Sequence, residues 1–193
     1  MELLSVAFWK SLALKYGSYA LALNAFIEAI FFPIPPDVLL LTLAMANPEE
    51  AFLYAAVATL FSSLGGVAGY YVGYFGGRPL AEKFFGRERV NRVHRLYESY
   101  ESLIILLAGF TPLPYKLFAV TSGVLFASLR KLFIFSLIGR GSRFFAEAAA
   151  VYFFGREVQD FIIKNVNILS LIGGALLLVA FLVYRRYRKG VLP

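Results

Sequence analysis

The chain of 193 residues has no cysteine, one histidine, one tryptophan and two methionines, and only 16% of it is charged. Without cysteine there are no disulfides, no thiolate metal sites and no cysteine nucleophile, and the redox compartment is left open. The single histidine, His94, lies among arginines on a polar stretch and reads as a solvated side chain. No Ser-His-Asp set, HExxH pair, Walker loop or zinc spacing is present. An enzyme is therefore the least expected class, and neither a cofactor nor a metal is predicted. The start, with Glu2 ahead of Trp9 and Lys10, does not read as a cleavable signal peptide.

What the chain has is apolar surface. It is 60% hydrophobic, with a mean hydropathy of +0.70, where soluble domains carry about 25% charged residues. The expected class is an all-α polytopic membrane protein, one membrane domain over residues 1–193. A net charge of +7 in so apolar a chain marks cytoplasmic loops and contact with anionic phospholipid rather than nucleic acid.

The organising stretch is Glu28–Ala44, EAIFFPIPPDVLLLTLA. It is oily enough for a membrane helix, yet Pro33, Pro35 and Pro36 cannot share a helix interior, because proline lacks the amide donor and clashes with the preceding turn. Within a bilayer, broken backbone is tolerated where protein or water satisfies it, and transporters place their sites at such breaks. The pattern returns 79 positions on, in FTPLPYKLFAVTSGVLFAS. Pro33 and Pro35 register with Pro112 and Pro114, Thr42 with Thr121, and the acid Asp37 with the base Lys116. Similar endings follow each, YFGG at 74–77 and FFGR at 153–156. The reading is an internal repeat, the first copy over about 20–77 and the second over about 102–156.

Residues 3–32 are apolar, interrupted by Lys10, Lys15 and Gly17; the first part is an interfacial helix or the start of a span. Asn47-Pro48-Glu49-Glu50 is a turn that starts a helix. Residues 51–77 run without a charge and exceed the ~20 residues that a bilayer core requires. Gly65, Gly69, Gly73 and Gly77 recur along them as a small-residue stripe for close helix packing, which is compatible with a face beside a substrate path. Residues 78–101 form a basic linker, loop or surface helix, assigned to the cytoplasm. Residues 132–155 make a second span, 156–165 lie outside, and 166–184 are a C-terminal transmembrane helix followed by Arg185, Arg186, Arg188 and Lys189 on the inside.

Working back from that tail puts one proline break on the outer side and the other on the cytoplasmic side. This gives two opposed re-entrant helical hairpins related by inversion. Lys10 and Lys15 fit poorly with an external N-terminus, and a crossing by residues 5–25 would resolve the conflict. The side of the N-terminus stays open.

Six ionisable groups fall in apolar segments: Glu28, Asp37, Lys116, Arg140, Arg143 and Glu147. Each disfavours insertion by about 2.5–3.5 kcal/mol at a helix centre, so all should face inward. Arg140, Arg143 and Glu147 share one helical face. Two arginines exceed what one acid neutralises there, which points to an anion site beside a titrating acid; a structural ion-pair network is the plainer alternative. Asp37 is also placed to cap the half-helix after the prolines, Glu28 to cap broken backbone, and Lys116 to snorkel. Ser62, Ser63 and Thr111 read as packing residues.

On these residues the chain resembles the DedA family, the bacterial branch of the VTT-domain (SNARE-associated Golgi) membrane proteins, and within it the YqaA-like subgroup. The carriers are Glu28 followed by FPIPPD, GGVAGYYVGYFGG at 65–77, FTPLPYKLFAVTSG at 110–123 and GRGSRF at 139–144. The resemblance implies opposed re-entrant hairpins and lipid movement across the cytoplasmic (inner) membrane, by a flippase or scramblase. Undecaprenyl phosphate or phospholipid would be the substrate, with dependence on the proton motive force. It implies a membrane acid pair, matched by Glu28 and Asp37, and two arginines near the second hairpin. Here Gly109 stands where one arginine is expected and Lys116 is offset from the other, so Arg140 and Arg143 are the substitutes.

The expected site is thus Lys116, Arg140 and Arg143 for phosphate, with Glu28, Asp37 and Glu147 for proton coupling. Two alternatives stand beside it: a proton- or ion-coupled small-solute transporter, and a non-transporting assembly or scaffold protein. The partners expected are membrane lipids, with homo-oligomerisation open.

Overall fold

The computed structural model describes residues 6–155 except residue 112, together with scattered positions between 165 and 179. Pro112, the basic tail after 184 and most of the 166–184 segment lie outside the described residues. Among the described residues the protein is helical and contains no strand. The helices are α1 Val6–Tyr16, α2 Ser18–Glu28, α3 Pro36–Ala46, α4 Ala51–Val72, α5 Arg78–Phe85, α6 Arg87–Glu98, α7 Glu101–Phe110, α8 Tyr115–Val124 and α9 Leu129–Phe154.

The helix ends follow from local chemistry. Gly17 takes a left-handed φ of 57° and separates α1 from α2. Residues 29–35 are not helical. Pro35 is extended, with ψ 137°, as a residue ahead of another proline must be. Pro36 then opens α3, a position where a missing amide is no loss. In the second copy Thr111 is extended, with ψ 163°, because Pro112 follows it. Pro114 is the N-cap residue of α8. Both proline clusters therefore produce a helix–break–helix unit, α2–α3 and α7–α8.

α4 does not stop at Gly77. A π-helical turn over Gly73–Gly77 links it to α5, and the rod from Pro48 to Phe85 spans 38 residues. By length and composition this is the one helix among the described residues apolar enough to cross a membrane. α9 has 26 residues and is long enough, but it carries the charged face. Both helices expose apolar stripes: Leu53, Leu60 and Leu64 on α4, and Ile134, Ile138, Phe145 and Tyr152 on α9. A water-facing surface does not ordinarily present such contiguous stripes.

α4 is the central post, packing on α2, α8 and α9, while α9 also packs on α3 and α7. The glycine stripe makes this possible. A Cβ at Gly65 would strike the Phe26 carbonyl of α2, and one at Gly73 the Val120 carbonyl of α8. Gly69 lies between Ala29 and Ala119, one from each break unit, and Gly77 lies on Val124. α4 thereby holds both units at backbone contact. Leu21, Leu39, Leu40, Tyr54 and Phe144 fill the core between α2, α3, α4 and α9.

Candidate functional site

The first break ends one helix with Glu28 and begins the next with Asp37 in its opening turn. Neither acid caps a helix. Asp37 is one residue past the N1 proline, and Pro35 is the N-cap residue. Both carboxylates turn instead to α9. Glu28 Oε2 accepts from an Arg140 Nη at 2.9 Å. Asp37 Oδ1 sits 2.6 Å from an Arg143 Nη, off the hydrogen-bond axis. Arg143 Nε also donates to Glu147 Oε1 at 3.2 Å, so one guanidinium lies between two carboxylates.

The second break supplies Lys116. Its Nζ donates to the Phe32 carbonyl at 2.9 Å, a backbone acceptor inside the first break. A base of one unit thus satisfies backbone exposed by the other, and the side chain points inward rather than snorkelling. Asn24 Nδ2 lies 3.4 Å from the Ile34 carbonyl of the same break. Buried carbonyls freed from helices need such partners.

Two further features hold the arginines. The Arg140 guanidinium lies 4.9 Å from the Tyr115 ring centre and 5.2 Å from that of Phe144, an arrangement in which the ring faces attract the cation. Tyr115, 2% exposed, is fixed by a hydrogen bond between its hydroxyl and Ser136 Oγ. Gly66 makes room for that hydroxyl.

The two breaks and α9 enclose a cavity of about 200 Å³. Glu28, Asp37, Lys116, Arg140 and Arg143 line it, with Pro33, Pro35, Pro36 and Pro114 among its walls. All five prolines except the undescribed Pro112 are therefore placed at the breaks or the cavity. Fully ionised, three bases and two acids give the lining one net positive charge; Glu147, behind Arg143, brings the cluster to zero. The arginine excess expected on α9 alone is thus absorbed by acids from the first break. Within this cluster Lys116 is the cation without a carboxylate partner among the described residues. Arg140 Nε is buried with no hydrogen-bond partner among the described residues, an unused donor beside the cavity.

Sequence reasoning passed over Tyr115, Asn24 and Glu101. Tyr115 adjoins Pro114 in the repeat and sits one position ahead of Lys116, the only signal available. Glu101 is 1% exposed and pairs with Lys131 at 3.2 Å. His94 is not simply solvated: it is half-buried, and its Nδ1 donates to the Leu125 carbonyl at the end of α8. No group of acids and histidines that could hold a metal occurs among the described residues.

The fold and site together define a helical protein with membrane-type surface, in which two proline-broken helix pairs meet over a buried charge cluster. The sequence model of the VTT domain matches residues 32–153, and the chain belongs to that family, which includes the DedA membrane proteins. It is 28% identical over 173 residues to an uncharacterized protein of Haemophilus influenzae, covering 88% of each chain. It is equally identical to an uncharacterized HI0703 homolog of Histophilus somni, over 88% of this chain and 89% of the relative. The uncharacterized protein MJ0201 of Methanocaldococcus jannaschii is 24% identical over 116 residues, 60% of this chain and 72% of that one. No solved structure matches.

Proposed function

We propose that this protein is a polytopic transporter of the cytoplasmic membrane that moves a phosphate-bearing lipid across the bilayer. In this reading α2–α3 and α7–α8 are re-entrant hairpins entering from opposite faces, related by inversion, with the C-terminus in the cytoplasm. One observation carries it: Lys116, Arg140 and Arg143 converge on a small cavity where both hairpins break. The phosphate sits against these bases while its acyl or prenyl tails remain in lipid. Arginine suits a phosphate because its planar fork donates two parallel hydrogen bonds. Lys116 supplies charge from the opposite hairpin, and two of its three ammonium protons remain for the ligand.

Proton coupling follows from the carboxylates. Asp37 and Glu147 share the Arg143 guanidinium, and a proton gained by either shifts the cluster from neutral to positive. An anionic headgroup is then held; loss of that proton releases it. The substrate is undecaprenyl phosphate or a phospholipid, since the site recognises the phosphate alone.

The cavity size favours a second reading, a small-anion transporter using the same bases. Proteoliposomes separate the two. Dithionite bleaching of a fluorescent phosphatidylglycerol under an imposed proton gradient, run beside uptake of labelled inorganic phosphate, should show accelerated lipid movement and background phosphate uptake. The reverse outcome selects the small-anion transporter; background in both, with folded protein, selects the scaffold.

A further inference from the structure

A second cavity lies at the other end of α8, away from the charge cluster. It is an apolar groove of about 310 Å³ between α5, α6 and the last turn of α8. Phe85, Val90 and Val93 form one wall, Val124 and Leu125 form the floor, and Arg89 is the one charged lining residue. Nothing among the described residues fills it, and Phe85 and Val93 are 63% and 51% exposed. Its volume is at the lower end of ligand sites.

The groove is built rather than incidental. His94 Nδ1 donates to the Leu125 carbonyl, and the Tyr97 hydroxyl is 2.8 Å from Ser122 Oγ. These bonds hold α6 over α8 at a fixed distance. Arg89, the charged residue of the lining, has no ion-pair partner among the described residues, whereas Arg78 is paired with Glu82 and Arg92 with Glu88. Both helices have strongly segregated polar and apolar faces, the pattern of helices that lie in a membrane interface.

We infer that this groove binds one anionic phospholipid as a resident ligand, an acyl chain lying on Val93, Val124 and Leu125 with its phosphate on Arg89. Charge complementarity selects this occupant: an apolar slot edged by the unpaired Arg89 matches an anionic headgroup above a hydrocarbon chain. The lipid rests against the C-terminal end of α8, the helix that carries Lys116 near its start. The inference shares the membrane reading with the proposed function, yet it does not depend on the charged cavity.

Native mass spectrometry of the full chain from micelles containing equal phosphatidylglycerol and phosphatidylcholine tests it. The wild type should retain one phosphatidylglycerol under activation that strips phosphatidylcholine. Arg89→Gln and Val93→Trp, the latter filling the slot, should each lower retention at least tenfold. Arg143→Gln should leave it unchanged, and a melting curve for each variant confirms folding. Equal retention of both lipids overturns the inference. So does loss in Arg89→Gln with none in Val93→Trp, which indicates surface charge alone. Loss only in Arg143→Gln assigns the lipid to the charged cavity, and a dimer broken by Val93→Trp assigns the groove to a second copy; either result also overturns it.

Discussion

The two proline breaks come from matching stretches of sequence, yet they do opposite electrostatic work. The first, between α2 and α3, contributes two acids, and α9 neutralises both through Arg140 and Arg143. The second, between α7 and α8, contributes Lys116, whose bond goes to a backbone carbonyl of the first. One break is a fixed wall of paired charge. The other presents a cation without a carboxylate partner among the described residues. In the proposed reading this difference gives the first break the larger structural share and makes Lys116 of the second the cation most available to a ligand.

The comparison breaks most visibly at Arg143. Arg143→Ala strands Asp37 and Glu147 in the interior, and losing one partner of a buried pair costs about 3–5 kcal/mol. Thermal melts in detergent should show that loss, and the exchange Asp37→Arg with Arg143→Asp should recover part of it. A melt unchanged by Arg143→Ala would show that the first break does not depend on its ion pairs.

The two breaks also lean on different glycines of the long rod, Gly65 in α4 and Gly73 in the π-turn that follows it. Gly73→Leu drives a side chain into the Val120 carbonyl, and overpacking of this kind costs about 1–3 kcal/mol. It should displace the second break and lower transport, while Gly65→Leu displaces the first. Cysteine accessibility at positions 28 and 116 distinguishes the two displacements.

Lys116→Gln is the sharpest contrast with Arg143→Ala. It removes one charge-assisted bond, worth about 1.5–3 kcal/mol, and leaves no stranded carboxylate. Stability should fall less than in Arg143→Ala, while lipid movement falls at least tenfold; Lys116→Arg should retain more of the activity. The smallest effect is expected at the far end of α8. His94→Leu removes a bond worth about 1 kcal/mol, and the melt should shift by only that much.

Much of this was legible in sequence because proline and charge carry their own constraints. Pro33, Pro35, Pro36 and Pro114 had to interrupt helices, and they do. The spacing of Arg140, Arg143 and Glu147 put them on one face, and Arg143 does reach Glu147. Partner choice was not legible. The repeat aligns Asp37 with Lys116, so a charge exchange between them looks natural, but the fold gives Asp37 to Arg143. Register within a repeat says which positions are equivalent, not which touch. His94 failed for a similar reason: its arginine-rich neighbours suggested solvent, while its Nδ1 meets a carbonyl from a helix distant in sequence. The π-turn that carries α4 on into α5 was hidden as well, since an apolar run does not reveal where a rod continues.

The most direct measurement is lipid movement in proteoliposomes bearing a fluorescent phosphatidylglycerol, with dithionite outside and a proton gradient imposed, for wild type and Lys116→Gln. The account predicts bleaching beyond the outer-leaflet fraction for wild type and at least tenfold slower transfer for the variant while its melt shows it folded at the assay temperature. Equal rates in the two proteins would contradict the account, as would a folded wild type no faster than empty vesicles.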